Sequence, residues 1–350
     1  DCTLDPAFNS ATTEYSCTVK NNISSVTVNA TATSTKAKVR GLGVKDLVEG
    51  KNTLPIRVIA EDGSEKIYNV NVTRKGEGKE LKSEIMKNTV VTANPTLTTS
   101  SNNTSDASGL YSSTATNTGN PTYYFRGNVE NNYVSFAGFT WRIVRINEDG
   151  TVRIIMQDGI NGNASIAFNS NYNNYSYMYY TNSQAKAVLE SWYQTNIGSK
   201  ADLASNVATG NYYCEQAKSK YGDGATSGSA TMTTYNEYTP DFKCVTDGNG
   251  KGMVNSNVGL ITYDEVIYAG GYYNTNNSNY YLYNSSINWW TMSSAGFSGS
   301  GSNVWCATIT GIIGNGYVNT SGSLRPVLNL KSSVQISSGD GTKDNPFVVE

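Results

Sequence analysis

The chain has 350 residues, enough for two or three domains, and carries a net charge of −2 with only 15% charged residues. It contains no histidine, which removes the commonest general base, a common neutral metal ligand and every catalytic triad that depends on imidazole. The absence of a basic block argues against a nucleic-acid partner, and no run of about 18 apolar residues predicts a membrane span.

The first 75 residues are predicted to form a small β-sandwich. Apolar side chains occupy every second position in three segments, residues 25–32, 54–60 and 68–72. Asp62 and Gly63 lie between the last two segments, and an Asp-Gly pair is a strong hairpin signal. Several short strands at this spacing are typical of a sandwich.

Five sequence landmarks stand in order in the same segment: residues 4–8 (LDPAF), Tyr15, residues 47–52 (LVEGKN), residues 60–63 (AEDG) and residues 68–70 (YNV). Together they resemble the cadherin-like β-sandwich repeat of bacterial surface proteins. The resemblance covers residues 1–75 and implies an extracellular location.

The composition changes sharply after this segment. Residues 75–87 are charged and predict one short helix. Residues 96–120 are almost entirely Thr, Ser, Asn and Gly, which bury little apolar surface. We therefore predict a polar linker over residues 76–120.

Apolar residues return in the remaining segment, residues 121–350. A hairpin is predicted around residues 147–150 (NEDG), which lie between two apolar runs. One helix is predicted to begin at Thr181, with Gln184 completing a capping box. A second is predicted to begin at Thr262, with Glu265 as the box partner, and to end at Gly270.

Six motifs stand in order in this segment: residues 123–129 (YYFRGNV), 139–144 (FTWRIV), 259–265 (GLITYDE), 289–293 (WWTMS), 324–330 (LRPVLNL) and 339–346 (GDGTKDNP). They resemble an uncharacterised extracellular domain of Gram-positive bacteria that is related to the C-type-lectin-like fold. The resemblance implies architecture and location but no established ligand. The fold expected for the whole chain is mainly β, a small sandwich followed by an α+β head with two helices and short sheets.

The five cysteines are compatible with two local disulfides. Pairing Cys2 with Cys17 and Cys214 with Cys244 closes loops of about 15 and 30 residues, each worth about 3–4 kcal/mol. The alternative is five reduced thiols. Cys306 lies in an apolar run and is predicted to be a buried free thiol. No C-x-x-C motif occurs, so no metal site is predicted.

Aromatic residues near the end of the chain are the candidate ligand-binding residues. In C-type-lectin-like folds the segment before the final strands forms exposed ligand loops, and by that resemblance we predict Trp290, Phe297, Trp305 and Tyr317 to bind a ligand. The alternative is that the tryptophans are core residues that anchor the loop.

Calcium is the usual partner of lectins with this fold. The sugar-specifying signatures of that family, Glu-Pro-Asn or Gln-Pro-Asp with a later Trp-Asn-Asp, do not occur in the chain. No cofactor is therefore predicted, and calcium stays an alternative. Five arginines in apolar strands either fix their guanidinium groups against carbonyls and carboxylates or bind an anion: Arg126, Arg142, Arg145, Arg153 and Arg325.

These features predict an extracellular, secreted or surface-attached adhesion protein that recognises a glycan or a protein and is not an enzyme. A second hypothesis is a subunit of an extracellular filament or surface assembly, since uncharged, aromatic, amide-rich faces suit self-association. A third is a carbohydrate-active enzyme, which needs two convergent carboxylates. The candidate acids are Glu190, Glu215, Glu237, Asp241, Asp264 and Glu265.

Overall fold

The computed structural model describes residues 2–76, 78–95, 97, 106–210, 212–215, 240–244, 252–297 and 301–349. The chain divides into two compact units, Asp1–Lys79 and Glu80–Glu350. Strands outnumber helices throughout the described residues, which confirms the predicted mainly β class.

The N-terminal unit contains six strands: β1 (Glu14–Val19), β2 (Ser25–Val28), β3 (Lys38–Arg40), β4 (Gly43–Asp46), β5 (Gly50–Ile59) and β6 (Glu65–Arg74). Four of them form a sheet in the order β1–β6–β5–β3, and β2 pairs with β4. β5 and β6 form the hairpin predicted around Asp62-Gly63, and Gly63 takes the positive φ that this turn requires.

The core of this unit is small. Alternate residues of β1 point inward, and Cys17, Val19, Leu47 and Val72 form its buried cluster. Cys2 packs against that cluster and forms the predicted disulfide with Cys17. Because so few side chains are buried, we expect the disulfide to supply much of the stability of this unit.

Replacing both Cys2 and Cys17 with serine is expected to destabilise the N-terminal unit by about 3 kcal/mol, since the broken cross-link restores the entropy of an approximately 15-residue loop to the unfolded chain. Native-state hydrogen exchange of the β1, β5 and β6 amides in the full chain measures this change. Amides of the C-terminal unit serve as the internal control. Unchanged protection in β1 and β6 would contradict the prediction.

After the two-residue strand β7 (Lys79–Glu80), the C-terminal unit contains sixteen further strands among the described residues. They are β8 (Gly109–Ser113), β9 (Thr122–Arg126), β10 (Tyr133–Phe136), β11 (Phe139–Ile146), β12 (Val152–Met156), β13 (Ile166–Ala167), β14 (Tyr212–Cys214), β15 (Met253–Asn255), β16 (Tyr272–Tyr273), β17 (Trp289–Phe297), β18 (Ser302–Ala307), β19 (Ile312–Tyr317), β20 (Ser321–Gly322), β21 (Val327–Leu330), β22 (Gln335–Ser338) and β23 (Phe347–Val349).

The helical segments are short. They are α1 (Leu81–Ile85), the single turn α2 (Ile160–Asn163), α3 (Gln184–Tyr193), α4 (Ala201–Ala204), α5 (Tyr263–Ala269), two 3-10 turns (Tyr175–Met178 and Tyr180–Asn182) and a π-helical turn (Gln194–Gly198).

Two sheets organise the C-terminal unit. The larger contains β21–β12–β11–β10–β23–β22 in that order, and β9 joins it through β11 while β8 joins through β9. The smaller has the order β16–β19–β18–β17. The predicted hairpin around residues 147–150 is confirmed as the β11–β12 connection, closed by the hydrogen bonds of Asn147 with Thr151 and of Gly150 with Asn147.

The predicted linker over residues 76–120 is not what the structure shows. Leu81 and Ile85 of α1, and Leu110 and Tyr111 of β8, are buried within the C-terminal unit. Four apolar side chains spaced along an otherwise polar segment are enough to anchor it to a large neighbouring core. The C-terminal unit therefore begins about forty residues before the predicted start of the last segment, at Glu80 rather than at residue 121.

The two predicted helices differ in accuracy. α5 is capped as expected by Thr262 and Glu265, and it ends at Gly270 with φ of 110°. α3 begins two residues later than expected, with Ser183 as its N-cap. Thr181 lies instead in the 3-10 turn Tyr180–Asn182, where its hydroxyl donates to the Glu215 carboxylate.

Candidate functional site

The two tryptophans predicted to bind a ligand lie in the core instead. Trp290 is 2% exposed and Trp305 is fully buried. Trp290 pairs with Cys306 across β17 and β18, so the adjacent Trp305 projects from the opposite face of the sheet. The Trp290 Nε1 donates to the Ile166 carbonyl, and the Trp305 ring packs against Tyr263. The prediction of exposed binding surface fails for both, because the pleat of the sheet directs each ring into protein.

The other two predicted residues do not form one patch. Phe297 is half-buried and pairs with Ser302, whereas Tyr317 pairs with Asn303, so the pleat places them on opposite faces. Tyr317 is 42% exposed, and its ring lies edge-on to Tyr172, which is 43% exposed. Of the four predicted residues, Tyr317 lies in an exposed aromatic pair, which it forms with Tyr172. We call these two residues the exposed tyrosine pair.

A cavity of about 450 Å³ opens on one face of the larger sheet. We call it the polar cavity. Its floor comes from three adjacent strands, since Arg145 pairs with Arg153 and Arg153 pairs with Asn329. Asn147 and Thr151 continue the same face toward the hairpin turn. The opposite face carries the apolar side chains that fill the core, which are Ile146, Val152, Ile154, Leu328 and Leu330.

Glu265, in the first turn of α5, connects that helix to the arginines of the cavity floor. Its Oε2 accepts from the Thr262 backbone N–H at 3.0 Å, which completes the cap of α5. Its Oε1 lies 3.0 Å from the Nε atoms of both Arg145 and Arg153. The carboxylate therefore holds two guanidinium groups at once, and the trio retains one positive charge.

Burial alone would raise the pKa of Glu265, but the charges of Arg153 and Arg145 and the hydrogen bond from Thr262 outweigh it and lower the pKa below its ordinary value. Glu265 is therefore ionised at neutral pH. A carboxylate held in this way orients the arginines and is poorly suited to donate a proton.

The pH dependence of stability follows from this shift. Because the pKa of Glu265 is lower in the folded state, its contribution is complete above the unfolded pKa of about 4.3 and is lost as the pH falls through the folded value. We expect the stability difference between the wild type and Glu265→Gln to be constant from pH 7 to about pH 5 and to shrink below about pH 4. Urea unfolding of both proteins across this range measures it, and a difference that persists unchanged at pH 3 would contradict the assignment.

Three of the six candidate acids meet at the cavity. Asp241 and Asp264 line it together with Glu265, and the Asp241 backbone N–H donates to the Asp264 carboxylate at 3.1 Å. Glu190 pairs with Lys186 on α3, and Glu215 accepts from Thr181. Glu237 lies outside the described residues.

The five arginines are held by protein groups. Arg126 pairs with Asp106 and donates to two carbonyls at the end of α5, while Arg325 donates to the carbonyls of Met156 and Leu282. Arg142 donates to Asn132 and to the Val129 carbonyl. This confirms the interpretation that the guanidinium groups are fixed against carbonyls and carboxylates. Arg145 and Arg153 also line the polar cavity.

Two residues of the cavity floor, Arg153 and Asn147, contain polar atoms that are buried in protein and unsatisfied. Arg153 Nε, Arg153 Nη2 and Asn147 Oδ1 are buried, and none of them makes a hydrogen bond to the residues that the structure describes, although Arg153 Nε lies 3.0 Å from Glu265 Oε1 in an ion pair. A buried polar group without a partner costs about 1–3 kcal/mol.

The predicted Cys214–Cys244 disulfide is confirmed, and both cysteines border the cavity. It connects β14 with the segment that carries Asp241 and Phe242. Cys306 is not disulfide-bonded, and burial raises the pKa of its thiol to about 11. That thiol is protonated at neutral pH and is a weak nucleophile.

The sequence did not single out Asn147, Thr151, Lys243 or Asn329, all of which line the cavity. Residues 147–150 were interpreted only as a turn. A usable signal was present, because polar residues alternate with apolar ones on both strands of that hairpin and so must share one face. The third strand and α5 could not be placed beside this face from sequence.

Comparison with known families gives one match. Residues 1–75 match the family described as Cadherin-like beta sandwich domain, as the sequence landmarks predicted. No curated protein and no solved structure matches the chain. The cadherin-like domain and the two disulfides are consistent with an extracellular protein.

No helix in the described part of the chain is both long and apolar enough to cross a membrane. Within the same described ranges, no group of three or more Cys, Asp or Glu side chains is arranged to hold a metal ion.

Proposed function

We propose that this chain is an extracellular binding protein of a Gram-positive bacterial surface, in which the cadherin-like unit serves as a spacer and the C-terminal unit, of C-type-lectin-like kind, recognises a glycan or protein ligand in adhesion. The cadherin-like match supports a surface role. The single observation that carries the recognition role is the polar cavity with its arginine-clamped floor.

The cavity has the properties of a preformed binding site. Its volume of about 450 Å³ falls in the range of small-ligand pockets. Its floor belongs to a sheet whose other face is buried, so the polar side chains are held on a rigid support. Glu265 further fixes both arginines before any ligand arrives.

Binding accounts for this site better than catalysis does. Glu265 is ionised and engaged by two arginines, which leaves it unsuited to the role of general acid. Cys306 is a weak nucleophile, and the chain has no histidine to serve as a base. We therefore expect no turnover on polysaccharide panels, and measurable hydrolysis would overturn this part of the proposal.

Glycan and protein arrays probed with the full chain test the proposal. Thr209 is an exposed residue at the cavity, and Thr209→Trp places a large side chain there without disturbing the core. Thr195→Trp is the matched control, since Thr195 is also exposed, on a helical turn that does not line the cavity. We expect binding by the wild type and Thr195→Trp and at least a tenfold loss in Thr209→Trp, about 1.4 kcal/mol. No ligand on either array, or equal binding by both variants, would refute recognition at the cavity.

Self-association is the second candidate. The exposed tyrosine pair favours it, because aromatic side chains are enriched at protein interfaces. Sedimentation velocity of the wild type and Tyr172→Ser/Tyr317→Ser across a wide concentration range separates the two functions. A stable wild-type monomer rules out the filament, whereas assembly that the double variant abolishes would support it.

A further inference from the structure

The exposed tyrosine pair is held in place by the backbone around it. The Tyr172 carbonyl accepts a hydrogen bond from the Ser302 N–H at 2.7 Å, which fixes the loop of Tyr172 to β18. Tyr317 lies on the adjacent strand β19, opposite Asn303. Gly301 lies against both rings, since a Cβ at that position would be 2.6 Å from the Tyr317 ring and 2.9 Å from the Tyr172 ring. Both rings therefore have a defined position before any ligand arrives, which lowers the entropy cost of binding.

The arrangement of the two rings leaves aromatic faces open to solvent. Their centroids are 6.3 Å apart and their planes meet at 67°. In a stacked pair each ring covers one face of the other, whereas an edge-on contact uses the edge of one ring and leaves both of its faces uncovered by the partner. Tyr172 and Tyr317 accordingly stay 43% and 42% exposed. The pair offers a ring face with a second ring beside it.

Uncharged amide side chains neighbour the pair along the chain. Asn173 follows Tyr172 in the same loop, Asn315 lies two residues before Tyr317 on the same face of β19, and Asn319 lies in the turn after β19. All three asparagines are exposed, and none of their side chains makes a hydrogen bond to the residues that the structure describes. Because an amide both donates and accepts, these side chains suit a ligand rich in hydroxyl groups.

The charge of the two segments limits the class of ligand. Residues 159–185 contain Tyr172 and residues 266–324 contain Tyr317, and neither stretch has an Asp, Glu, Lys or Arg. Acidic polysaccharides and nucleic acids are recognised by Arg or Lys placed against their anionic groups. The segments that carry the pair supply no such group. A ligand without charge is the one that loses nothing by their absence.

The area of the pair limits the size of the ligand. A tyrosine side chain has about 200 Å² of surface, so the two rings together present about 170 Å² to solvent. A stable protein interface needs about 800 Å² from each partner. The pair alone is therefore too small to hold a protein, and it suits a contact with one or two rings of a smaller ligand.

A sugar ring has the surfaces that this site requires. One face carries C–H groups, which pack on the electron-rich face of an aromatic ring, and the hydroxyl groups at its edge donate and accept hydrogen bonds. We propose that the exposed tyrosine pair binds a neutral polysaccharide, with a sugar ring stacked on a tyrosine face and its hydroxyl groups bonded to the neighbouring amides. This inference rests on the proposed function, whose glycan ligand it specifies, but it places the contact outside the polar cavity.

Equilibrium binding of the full chain to beads that carry a defined polysaccharide tests the inference. The neutral polysaccharides are soluble starch, dextran, galactomannan, xyloglucan and mixed-linkage β-glucan. Hyaluronan and polygalacturonate represent the acidic class, and uncoated beads give the background. Depletion of the protein from solution is measured at low and high sodium chloride. Because neither the site nor the ligand is charged, we expect salt to change the affinity less than about twofold.

The variants separate the site from the fold. Tyr172→Ala and Tyr317→Ala each remove one exposed ring, and we expect each to weaken binding about tenfold or more. Tyr317→Phe keeps the ring face and should bind within about threefold of the wild type. Ile309→Ala is the matched control, since Ile309 is 47% exposed in the turn between β18 and β19 and has no ring. Thr209→Trp obstructs the polar cavity and should bind polysaccharide as the wild type does.

The outcomes are distinguishable. Binding of a neutral polysaccharide that both alanine variants lose, and that Ile309→Ala and Thr209→Trp retain, supports the inference. It is overturned if only acidic polysaccharides bind, if no polysaccharide binds, or if neutral binding survives in both alanine variants. Loss in Thr209→Trp with full binding by the alanine variants would place the glycan at the cavity, which leaves the proposed function standing and removes this inference. Absence of any ligand on these beads and on the arrays would remove both.

Discussion

Replacing Glu265 with glutamine is expected to lower the free energy of unfolding of the C-terminal unit by about 3–5 kcal/mol, the cost of leaving buried charges without their partner. Glutamine matches glutamate in shape, so the loss reports the charge. Arg153 is 3% exposed and the Arg145 side chain is 12% exposed, so water compensates only poorly for the lost carboxylate. Urea denaturation of the full chain at pH 7 measures the change.

The matched control for this substitution is Glu190→Gln. Glu190 pairs with Lys186 one helical turn away on α3, but its side chain is 46% exposed. Removing a solvated pair of this kind should cost less than about 1 kcal/mol. Equal losses in the two variants would show that Glu265 contributes no more than a surface carboxylate, and the clamped floor of the cavity would then have to be abandoned.

Replacing Trp305 with alanine is expected to destabilise the C-terminal unit by about 3–5 kcal/mol, because the indole is fully buried against Tyr263 and Tyr273 and its removal leaves a cavity. Had this residue been part of an exposed ligand-binding surface, as the sequence suggested, the substitution would have cost little stability. Thermal and urea unfolding both report the change.

Tyr317→Ala provides the comparison within the same sheet. Its side chain is 42% exposed, so we expect a loss below about 1 kcal/mol. The two substitutions remove aromatic rings from the same face of neighbouring strands, β18 and β19, and differ chiefly in burial. A small loss for Trp305→Ala would mean that its ring is far more accessible than the structure shows.

Local sequence signals predicted the local parts of the fold well. The α5 helix was located correctly because its cap involves Thr262 and Glu265, only three residues apart, and the Asp-Gly hairpins depend on adjacent residues. The start of α3 was misplaced because Thr181 lies in a 3-10 turn and hydrogen-bonds to Glu215, 34 residues away, while Ser183 caps the helix. Propensity cannot anticipate such a competing contact.

The candidate site was harder to predict because its parts are distant in sequence. Arg145 and Glu265 are 120 residues apart, and Asn147 and Asn329 are 182 apart. The arginines and Glu265 were each noticed, but nothing in a single sequence brings them together. The exposed or buried state of Trp290 and Trp305 likewise depends on strand register, which aromatic composition does not reveal.

The shared carboxylate has a consequence for how this domain can diverge among related proteins. Arg145 and Arg153 share the single carboxylate of Glu265, so loss of Glu265 alone leaves two largely buried positive charges without their counter-charge. Thr209 and Met253 line the same cavity, but they are exposed and uncharged, so replacing them leaves no buried charge unpaired. We expect homologous chains to replace the three charged residues together or not at all, while the rim varies freely. Ligand preference would then change through substitutions of exposed lining residues, while the need for stability conserves the charged residues of the floor.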